Sequence, residues 1–341
     1  MENSNKVDSY FNCNRVNATT FVIHEKDKYE EHPFIYVKTF ENVPVLVLSD
    51  TGCGGGKAKQ LHATNLKDFI ETSPISSNHG SPLNPRHSTG KATKKYLIIC
   101  THCHYDHILG LSHFRDDSPD IIASWNGKAF IESDLPEHSL CKYLEIPVPK
   151  YKVTTWAHDY QKLYFDDISL HLQVIHTPGH TPDEIAWYDD RERHLYVGDT
   201  LYERVAKDKS YEQAILFPKE GNIVDYLSSL NKLLLFVETK NNDDSANKGP
   251  VKIGCGHVTS SVDGKEILLA VRQLFLDIVQ GKVPIVGTEE KRGEVYATWK
   301  EDGEPRFSVT APKRIMQDAK QNWGKWEEYI DANGERARYQ V

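Results

Sequence analysis

The run Thr101-His102-Cys103-His104-Tyr105-Asp106-His107 sets His102, His104, Asp106 and His107 within six consecutive positions. Such a density of imidazole and carboxylate is costly to enclose unless the groups are paired or share cations. Tyr96-Leu97-Ile98-Ile99-Cys100 precedes it and reads as a buried strand. Ile108-Leu109-Gly110-Leu111 follows and reads as the first turns of a helix. The ligands therefore fall on a strand-to-helix loop, where chemistry is commonly mounted on a rigid scaffold. Positions two apart in an extended segment point the same way, so His102 and His104 can reach one ion. Asp106 and His107, past the bend, can aim at a second. Cys103 lies on the opposite side of that segment, and the expectation for it is structural.

Upstream, residues 19–23, 34–38 and 43–48 are apolar runs separated by charged or turn-forming residues, as in consecutive antiparallel strands. The Gly-rich stretch 49–56 then breaks the sheet. No Lys-Ser/Thr pair follows in P-loop spacing, so it reads as a tight turn at the edge of the site. Residues 57–95 are the least core-like. A short helix is expected over 61–70, then an exposed Ser, Asn, Gly, Pro and Lys-rich insertion.

Downstream, strands are expected at 121–125, 162–165 and 170–176, with helices near 106–115 and 127–133. The segment 135–160 mixes Pro, aromatic and charged residues and suits a pocket wall or a plain surface connection equally. Strand 170–176 runs into Thr177-Pro178-Gly179-His180, a tight turn that presents His180 at a sheet edge. A hairpin, 184–188 with 193–197, ends in Gly198-Asp199 and exposes a carboxylate at a strand terminus. Residues 251–257 form a short strand delivering His257 between small residues. Helical periodicity marks 222–238 and 265–280. Residues 294–299 and 306–310 read as a late strand pair.

The formal net charge of −8 weighs against a nucleic-acid partner, whose phosphates demand a basic face. Six cysteines are scattered without paired spacing, which fits a reducing, cytoplasmic setting better than a disulfide framework. Residues 1–14 are polar, with no apolar core of a signal peptide, and no run approaches the length of a membrane span. A small molecule is therefore the expected partner. Oligomeric state is not encoded in these features.

The order strand–His-X-His-X-Asp-His, strand–His, strand–Asp, strand–His resembles the metallo-β-lactamase superfamily over residues 15–281. The resemblance implies an α/β fold, the αβ/βα sandwich of two mixed β-sheets flanked by helices. It implies a single domain over 1–341, with the insertion at 57–95 and a C-terminal extension at 282–341. Carried over residue by residue, His102, His104 and His180 match a first metal site, and Asp106, His107 and His257 a second. Asp199 matches the bridging carboxylate. Two Zn²⁺ ions are implied, with Mn²⁺ or Fe²⁺ also suited to the ligands. In this family a hydroxide shared by the metals attacks a carbonyl, and Asp106 is the catalytic carboxylate of the set.

Asp199 points to the branch that holds glyoxalase II, homoserine lactonases, RNase Z and fungal acyl-carrier thioesterases. Tyr202 is similar to a lactonase Tyr that hydrogen-bonds the lactone carbonyl, and is equally an ordinary packed aromatic. The strand pair near 294–310 departs from the helical C-terminal domain of glyoxalase II, and the acidic charge disfavours RNase Z. The expected function is therefore a dinuclear hydrolase opening a small cyclic amide or ester, for example a benzoxazolinone. The alternatives are a thioesterase, a one-iron persulfide dioxygenase and a non-catalytic binding member of the fold.

Overall fold

The computed structural model describes residues 10–55, 65–243 and 249–322. Contacts divide the chain into two compact units. The first comprises Met1–His176, Asp183–Gly198 and Lys248–Val262, and the second Thr177–Pro182, Asp199–Asn247 and Asp263–Val341.

The first unit is built on two mixed sheets. One is seven-stranded and keeps sequence order: β1 (Phe11–Arg15), β2 (Thr20–Glu25), β3 (Phe34–Thr39), β4 (Val45–Ser49), β5 (Lys95–Ile99), β6 (Asp120–Ser124) and β7 (Thr155–Ala157). Strands β1 to β4 pair antiparallel, and β4 to β7 pair parallel. The other sheet takes β8 (Lys162–Phe165), β9 (Ile168–His176), β10 (Ile185–Asp189) and β11 (His194–Tyr196). After the two-residue β12 (Ile215–Leu216), which lies in another sheet, β13 (Lys252–Gly254) and β14 (Val262–Asp263) complete its six strands.

The apolar runs are continuous because both faces of the first sheet are covered. Val45, Val47, Leu97 and Ile99 point to one side and pack on Leu172, Val174, Ile185 and Trp187 of the second sheet. Their alternates, Leu46, Leu48, Tyr96 and Ile98, point to the other. There they meet Phe69 and Ile70 of α1 (Leu66–Thr72) and Ile108, Leu111 and Phe114 after β5. Each such side chain contributes about 1.5–3 kcal/mol by leaving water. Trp187 ties the sheets with a hydrogen bond from Nε1 to Ser49 Oγ, 2.9 Å.

Several expectations change here. The helix expected at 106–115 is a four-residue α2 (Tyr105–Ile108) followed by a 3₁₀ stretch, Leu109–Asp117. Gly110 explains why this segment can lie so close to β4: a Cβ there would stand 2.1 Å from the Thr51 carbonyl oxygen. The helix expected at 127–133 is present as α3 (Lys128–Ser133), and the short α4 (Leu135–His138) follows it. Strand β1 was not expected, because Phe11-Asn12-Cys13-Asn14-Arg15 is largely polar. It pairs along β2 at the sheet edge and buries Phe11 alone. The expected exposure of the 57–95 insertion holds only in part: α1 buries Leu66, Phe69 and Ile70, and Ile75, Leu83 and Asn84 are also enclosed. Residues 85–91 are exposed. The start of the helix expected over 61–70 lies outside the described residues, as do most of the 1–14 segment and the extension beyond 322.

The second unit packs α5 (Ile223–Asn241) against α6 (Gly264–Val279). Asn222 caps α5 by accepting from the Val224 and Asp225 N–H groups. The buried stripe Tyr226, Leu227, Leu230, Leu234 and Val237 is the expected i, i+4 pattern. The late strand pair is present as β16 (Glu294–Trp299) and β17 (Val309–Pro312), the second beginning three residues later than expected. They extend to a four-stranded sheet with β12 and β15 (Ile285–Lys291), followed by α7 (Lys313–Gln321).

Lys38 on β3 meets Asp189 on β10 at 2.5 Å, with both side chains almost wholly buried. Removing one partner of such a pair leaves an uncompensated charge inside the sandwich. Lys38→Met should lower unfolding stability by about 3–5 kcal/mol in urea denaturation. Lys38→Met combined with Asp189→Leu should recover most of that loss. A double variant no more stable than the single one would show that the pair does not act as a unit.

Candidate metal centre

The strand ends of the first unit aim its ligands at one edge. Strands β4 and β5 are parallel neighbours, so Asp50 and Thr101, just past their ends, lie side by side. Asp50 Oδ1 accepts the Thr101 N–H at 2.7 Å, and Oδ2 accepts the Thr101 hydroxyl at 2.8 Å. Oδ2 also takes His107 Nδ1 at 3.0 Å. His107 Nε2 is thereby turned toward Asp106 Oδ2, 3.2 Å away. His257, past β13, gives its Nδ1 hydrogen to the Glu31 carbonyl oxygen at 2.8 Å. Its Nε2 also stands 3.2 Å from Asp106 Oδ2. A carbonyl only accepts, so His257 Nδ1 carries a proton and Nε2 is the ring atom turned toward Asp106.

His102 and His104 face one another, Nε2 to Nδ1, at 3.0 Å. His102 Nδ1 lies 3.2 Å from the Thr101 hydroxyl. Because that hydroxyl donates to Asp50, it accepts from His102, and the His102 Nε2 lone pair is left facing His104. Two ring nitrogens so close require a proton or a cation at the pair. All five side chains of this unit, His102, His104, Asp106, His107 and His257, are buried.

The second unit prepares His180 in the same manner. Gly179 has φ +143°, and a Cβ there would stand 2.3 Å from Tyr226 Cα. The bare glycine lets the Thr177–Pro182 turn lie on the start of α5. The Asn222 N–H donates to the Gly179 carbonyl oxygen at 2.8 Å, and Ser229 Oγ to that of Pro178 at 2.7 Å. His180 Nδ1 donates to the Leu216 carbonyl oxygen at 2.7 Å. Phe217, packed on Tyr226 and Phe275, fixes that carbonyl. His180 Nε2 then lies 3.9 Å from Asp199 Oδ2, and both residues are buried.

Charge follows from this packing. Burial works to raise the Asp106 carboxyl, but the charges and hydrogen bonds of His107 and His257 hold it well below the usual carboxylate range. Burial pushes Glu25 up to about 8, against the pull of N–H groups from Gly55 and Cys53. Glu25 accepts those N–H groups at 2.6 and 2.8 Å, so a carboxyl group fills the Gly-rich turn expected from the sequence. Burial and the Asp106 charge push Glu31 up to about 7, opposed by a hydrogen bond from the Tyr105 hydroxyl. Cys103 is structural as expected: it packs with Ala123 and Ile131, and burial drives its thiol well up.

Of the two readings of Tyr202, its surroundings favour the packed one. Its hydroxyl donates to the Ala214 carbonyl oxygen at 2.9 Å and accepts the Leu216 N–H at 3.3 Å, and its side chain is 1% exposed. The proton that would serve a substrate carbonyl is committed to the backbone beside β12. Four groups that orient the ligands were missed: Asp50, Thr101 and the carbonyls of Glu31 and Leu216. Asp50 carried a readable signal, a carboxylate just past a strand that ends beside the ligand loop. The two carbonyls carry none, since every residue has one.

Comparison with known proteins agrees with this geometry. Residues 46–242 match the family model of the metallo-beta-lactamase superfamily. A relative from Aspergillus versicolor, named "Putative transcription factor avaE", is 29% identical over 318 residues, covering 91% of this chain and 88% of that protein. Gallus gallus acyl-coenzyme A thioesterase MBLAC2 is 24% identical over 44% of this chain and 54% of its own. Hydroxyacylglutathione hydrolase of Psychromonas ingrahamii is 30% identical over 31% of this chain and 32% of its own. The chain thus spans about half and about a third of those two enzymes. In fold, a metallo-beta-lactamase family protein of Thermus thermophilus is similar with a TM-score of 0.50 at 17% identity, over 80% of this chain and 84% of that one.

Two outcomes follow. Asp50→Ala frees the His107 ring, and chelator competition should show metal affinity about 10–100-fold weaker; unchanged affinity would mean that Asp50 only braces the strand ends. Tyr202→Phe leaves the Ala214 and Leu216 backbone groups short of a partner and should cost about 1–3 kcal/mol of stability. Any hydrolytic turnover should stay within about three-fold of the parent, against the hundred-fold or larger loss typical of a removed oxyanion donor.

Proposed function

Because the chain belongs to the metallo-beta-lactamase superfamily, we propose that it is a metal-dependent hydrolase of activated carboxylic acyl groups, acting on an acyl thioester. The observation that carries the reading is the shared state of three imidazoles. His107, His180 and His257 each commit Nδ1 to a protein oxygen, which keeps Nε2 as a ligand. The groups His102, His104, His180 and Asp106, His107, Asp199, His257 are of the buried His and Asp type that can hold metal ions. In our reading His102, His104 and His180 would hold one ion, and Asp106, His107 and His257, with the Asp199 carboxylate, a second. Two Zn²⁺ ions suit these donors, with Mn²⁺ or Fe²⁺ as substitutes.

When bound, such ions lower the pKa of water and polarise a carbonyl. The chain's own part is to fix the ligands, supply negative charge and exclude competing geometry. Asp106, held ionised between His107 and His257, offsets cationic charge and offers an acceptor to the attacking water. Asp199 adds a second carboxylate.

The thioester is preferred over a ring for two reasons. Tyr202, the residue that favoured a lactone or lactam, has its hydroxyl engaged elsewhere. The relatives with named activities include an acyl-coenzyme A thioesterase and a hydroxyacylglutathione hydrolase. A small cyclic amide or ester is the second reading, because the seven-residue ligand set would serve ring opening equally well. The description of the Aspergillus relative is not carried over. A net charge of −8 opposes a nucleic-acid partner. Among the described residues no helix is long and apolar enough to cross a membrane. All six cysteines are free, which supports a reducing, cytoplasmic setting.

Metal analysis of the purified protein should find close to two transition-metal ions per chain, and chelation should abolish hydrolysis. Across a panel of acyl thioesters, lactones and lactams, kcat/KM should be at least about ten-fold higher for the best thioester, a difference near 1.4 kcal/mol in barrier. A lactam or lactone at the top of the panel would install the second reading. One iron per chain with oxygen-dependent turnover would replace hydrolysis by a dioxygenase.

A further inference from the structure

The first unit carries a cavity of about 810 Å³ that the proposed hydrolysis does not itself require. Lys26, Lys28, Arg115 and Lys150 line it, on a chain that is acidic overall. Among the described residues none of these four forms an ion pair with a carboxylate; Lys28 lies over the Tyr29 ring at 4.6 Å. Among the described residues of the lining Asp27 is the one acidic side chain, and it is already occupied. Its two oxygens accept the N–H groups of Tyr29 and His32, each at 2.7 Å. Basic side chains thus outnumber acidic ones in the described lining, with the Glu25 carboxyl set behind it on the Cys53 and Gly55 N–H groups, and a concave wall concentrates the field of the rim.

The remaining wall is apolar. Tyr29, Leu109, Ile146 and Val148 line the cavity and pack against Tyr105 and Cys53. The Tyr29 and Tyr105 rings meet edge to face at 5.3 Å. Tyr105 stands between the ligands His104 and Asp106 in the chain, and Leu109 is two residues past His107. The cavity is thus one layer of side chains from the metal ligands. Its size is that of sites that enclose a ligand of a few dozen atoms. A basic rim over an apolar wall, backed by Tyr105 of the ligand loop, fits a long molecule with phosphate at one end and an uncharged arm at the other.

We propose that this cavity holds the phosphate-bearing thiol carrier of the substrate, a phosphorylated pantetheine, so that the acyl thioester at its far end reaches the metal ligands. The proposal rests on the thioester reading and names the substrate class within it. Lys26, Lys28, Arg115 and Lys150 take the phosphates, and Tyr29, Ile146 and Val148 take the pantetheine arm. The shared chemistry is a phosphopantetheine thiol, borne either by a nucleotide, as in coenzyme A, or by a carrier protein.

The test is equilibrium binding, which needs no turnover. Coenzyme A, phosphopantetheine and pantetheine are titrated into the full-length, metal-loaded protein by calorimetry. The two phosphorylated thiols should bind at least about ten-fold more tightly than pantetheine, and the double charge reversal Arg115→Glu with Lys150→Glu should remove about that factor. Both positions are exposed, so the variant should keep the parent's far-UV circular dichroism. Coenzyme A well ahead of phosphopantetheine identifies the nucleotide-borne source; equal binding identifies the carrier-borne one. Pantetheine binding as tightly as coenzyme A, or an unchanged affinity in the double reversal, overturns the assignment. The two failures separate cleanly. Charge-dependent binding without hydrolysis of the thioester keeps the cavity assignment and removes the thioesterase reading. Hydrolysis of coenzyme A thioesters with kcat/KM untouched by the charge reversal does the opposite.

Discussion

One carboxylate, Asp50, accepts from the Thr101 N–H, the Thr101 hydroxyl and His107 Nδ1, and the ligand loop depends on it. The first two bonds fix where β5 ends relative to β4. The third sets the rotation and tautomer of a metal-type imidazole. Through the Thr101 hydroxyl the same carboxylate also biases His102, whose Nδ1 lies 3.2 Å from that oxygen. Backbone register and imidazole tautomer are thus determined at a single point. That point exists only because β4 and β5 run parallel and finish together. A carboxylate holding three donors in a buried place is stable because each donor is one the fold had to satisfy anyway.

Much of this was legible in the chain, and the reason lies in periodicity. Residues 45–48 and 96–99 form unbroken apolar or aromatic runs because they are buried on both faces, and runs so short suit a strand better than a helix. The long helices α5 and α6 announce themselves by their stripes. The ligands were legible because imidazole and carboxylate chemistry is confined to a few side chains. What escaped reading has other causes. Strand β1 is an edge with one buried side chain, so it has no pattern to display. The helix after the ligand loop is short and continues as 3₁₀, because Gly110 is drawn against Thr51 by contacts distant in sequence. Tyr202 stayed open between two roles for a related reason. Spacing from Asp199 says where the side chain stands in the chain, but a hydroxyl's role is decided by which acceptor is nearest. Here that acceptor is a backbone carbonyl twelve residues on.

Charge shows the same limit. A net charge of −8 is a property of the whole chain, and it weighs against a polyanionic macromolecule spread over a large face. It says nothing about a cavity whose four basic residues come from segments around 26, 115 and 150. Folding gathers those segments, and Asp27, the acidic side chain of the described lining, is held by its own turn. A small phosphorylated ligand senses the rim and not the average.

The acidic side of the ligand cluster gives the strongest physical reason for a cation there. Glu25 and Asp106 are buried and Glu31 half-buried in the first unit, and the Asp106 charge adds to burial in pushing Glu25 to about 8 and Glu31 to about 7. A carboxyl raised in the folded state favours its protonated form. Its contribution to stability is present below its unfolded pKa and is lost as pH rises through the folded value. Between about pH 4.5 and 8 these two groups therefore work against the fold as they ionise beside Asp106. A chain could avoid that cost with glutamine at either place. It keeps glutamates instead, and the Glu31 backbone carbonyl orients His257 while the Glu25 carboxyl closes the Gly-rich turn. Divalent charge at the neighbouring imidazoles would pull the raised carboxyls down and offset that cost. Metal binding and folding would then be linked, and the acidity of the site is a cost only while the metal is away.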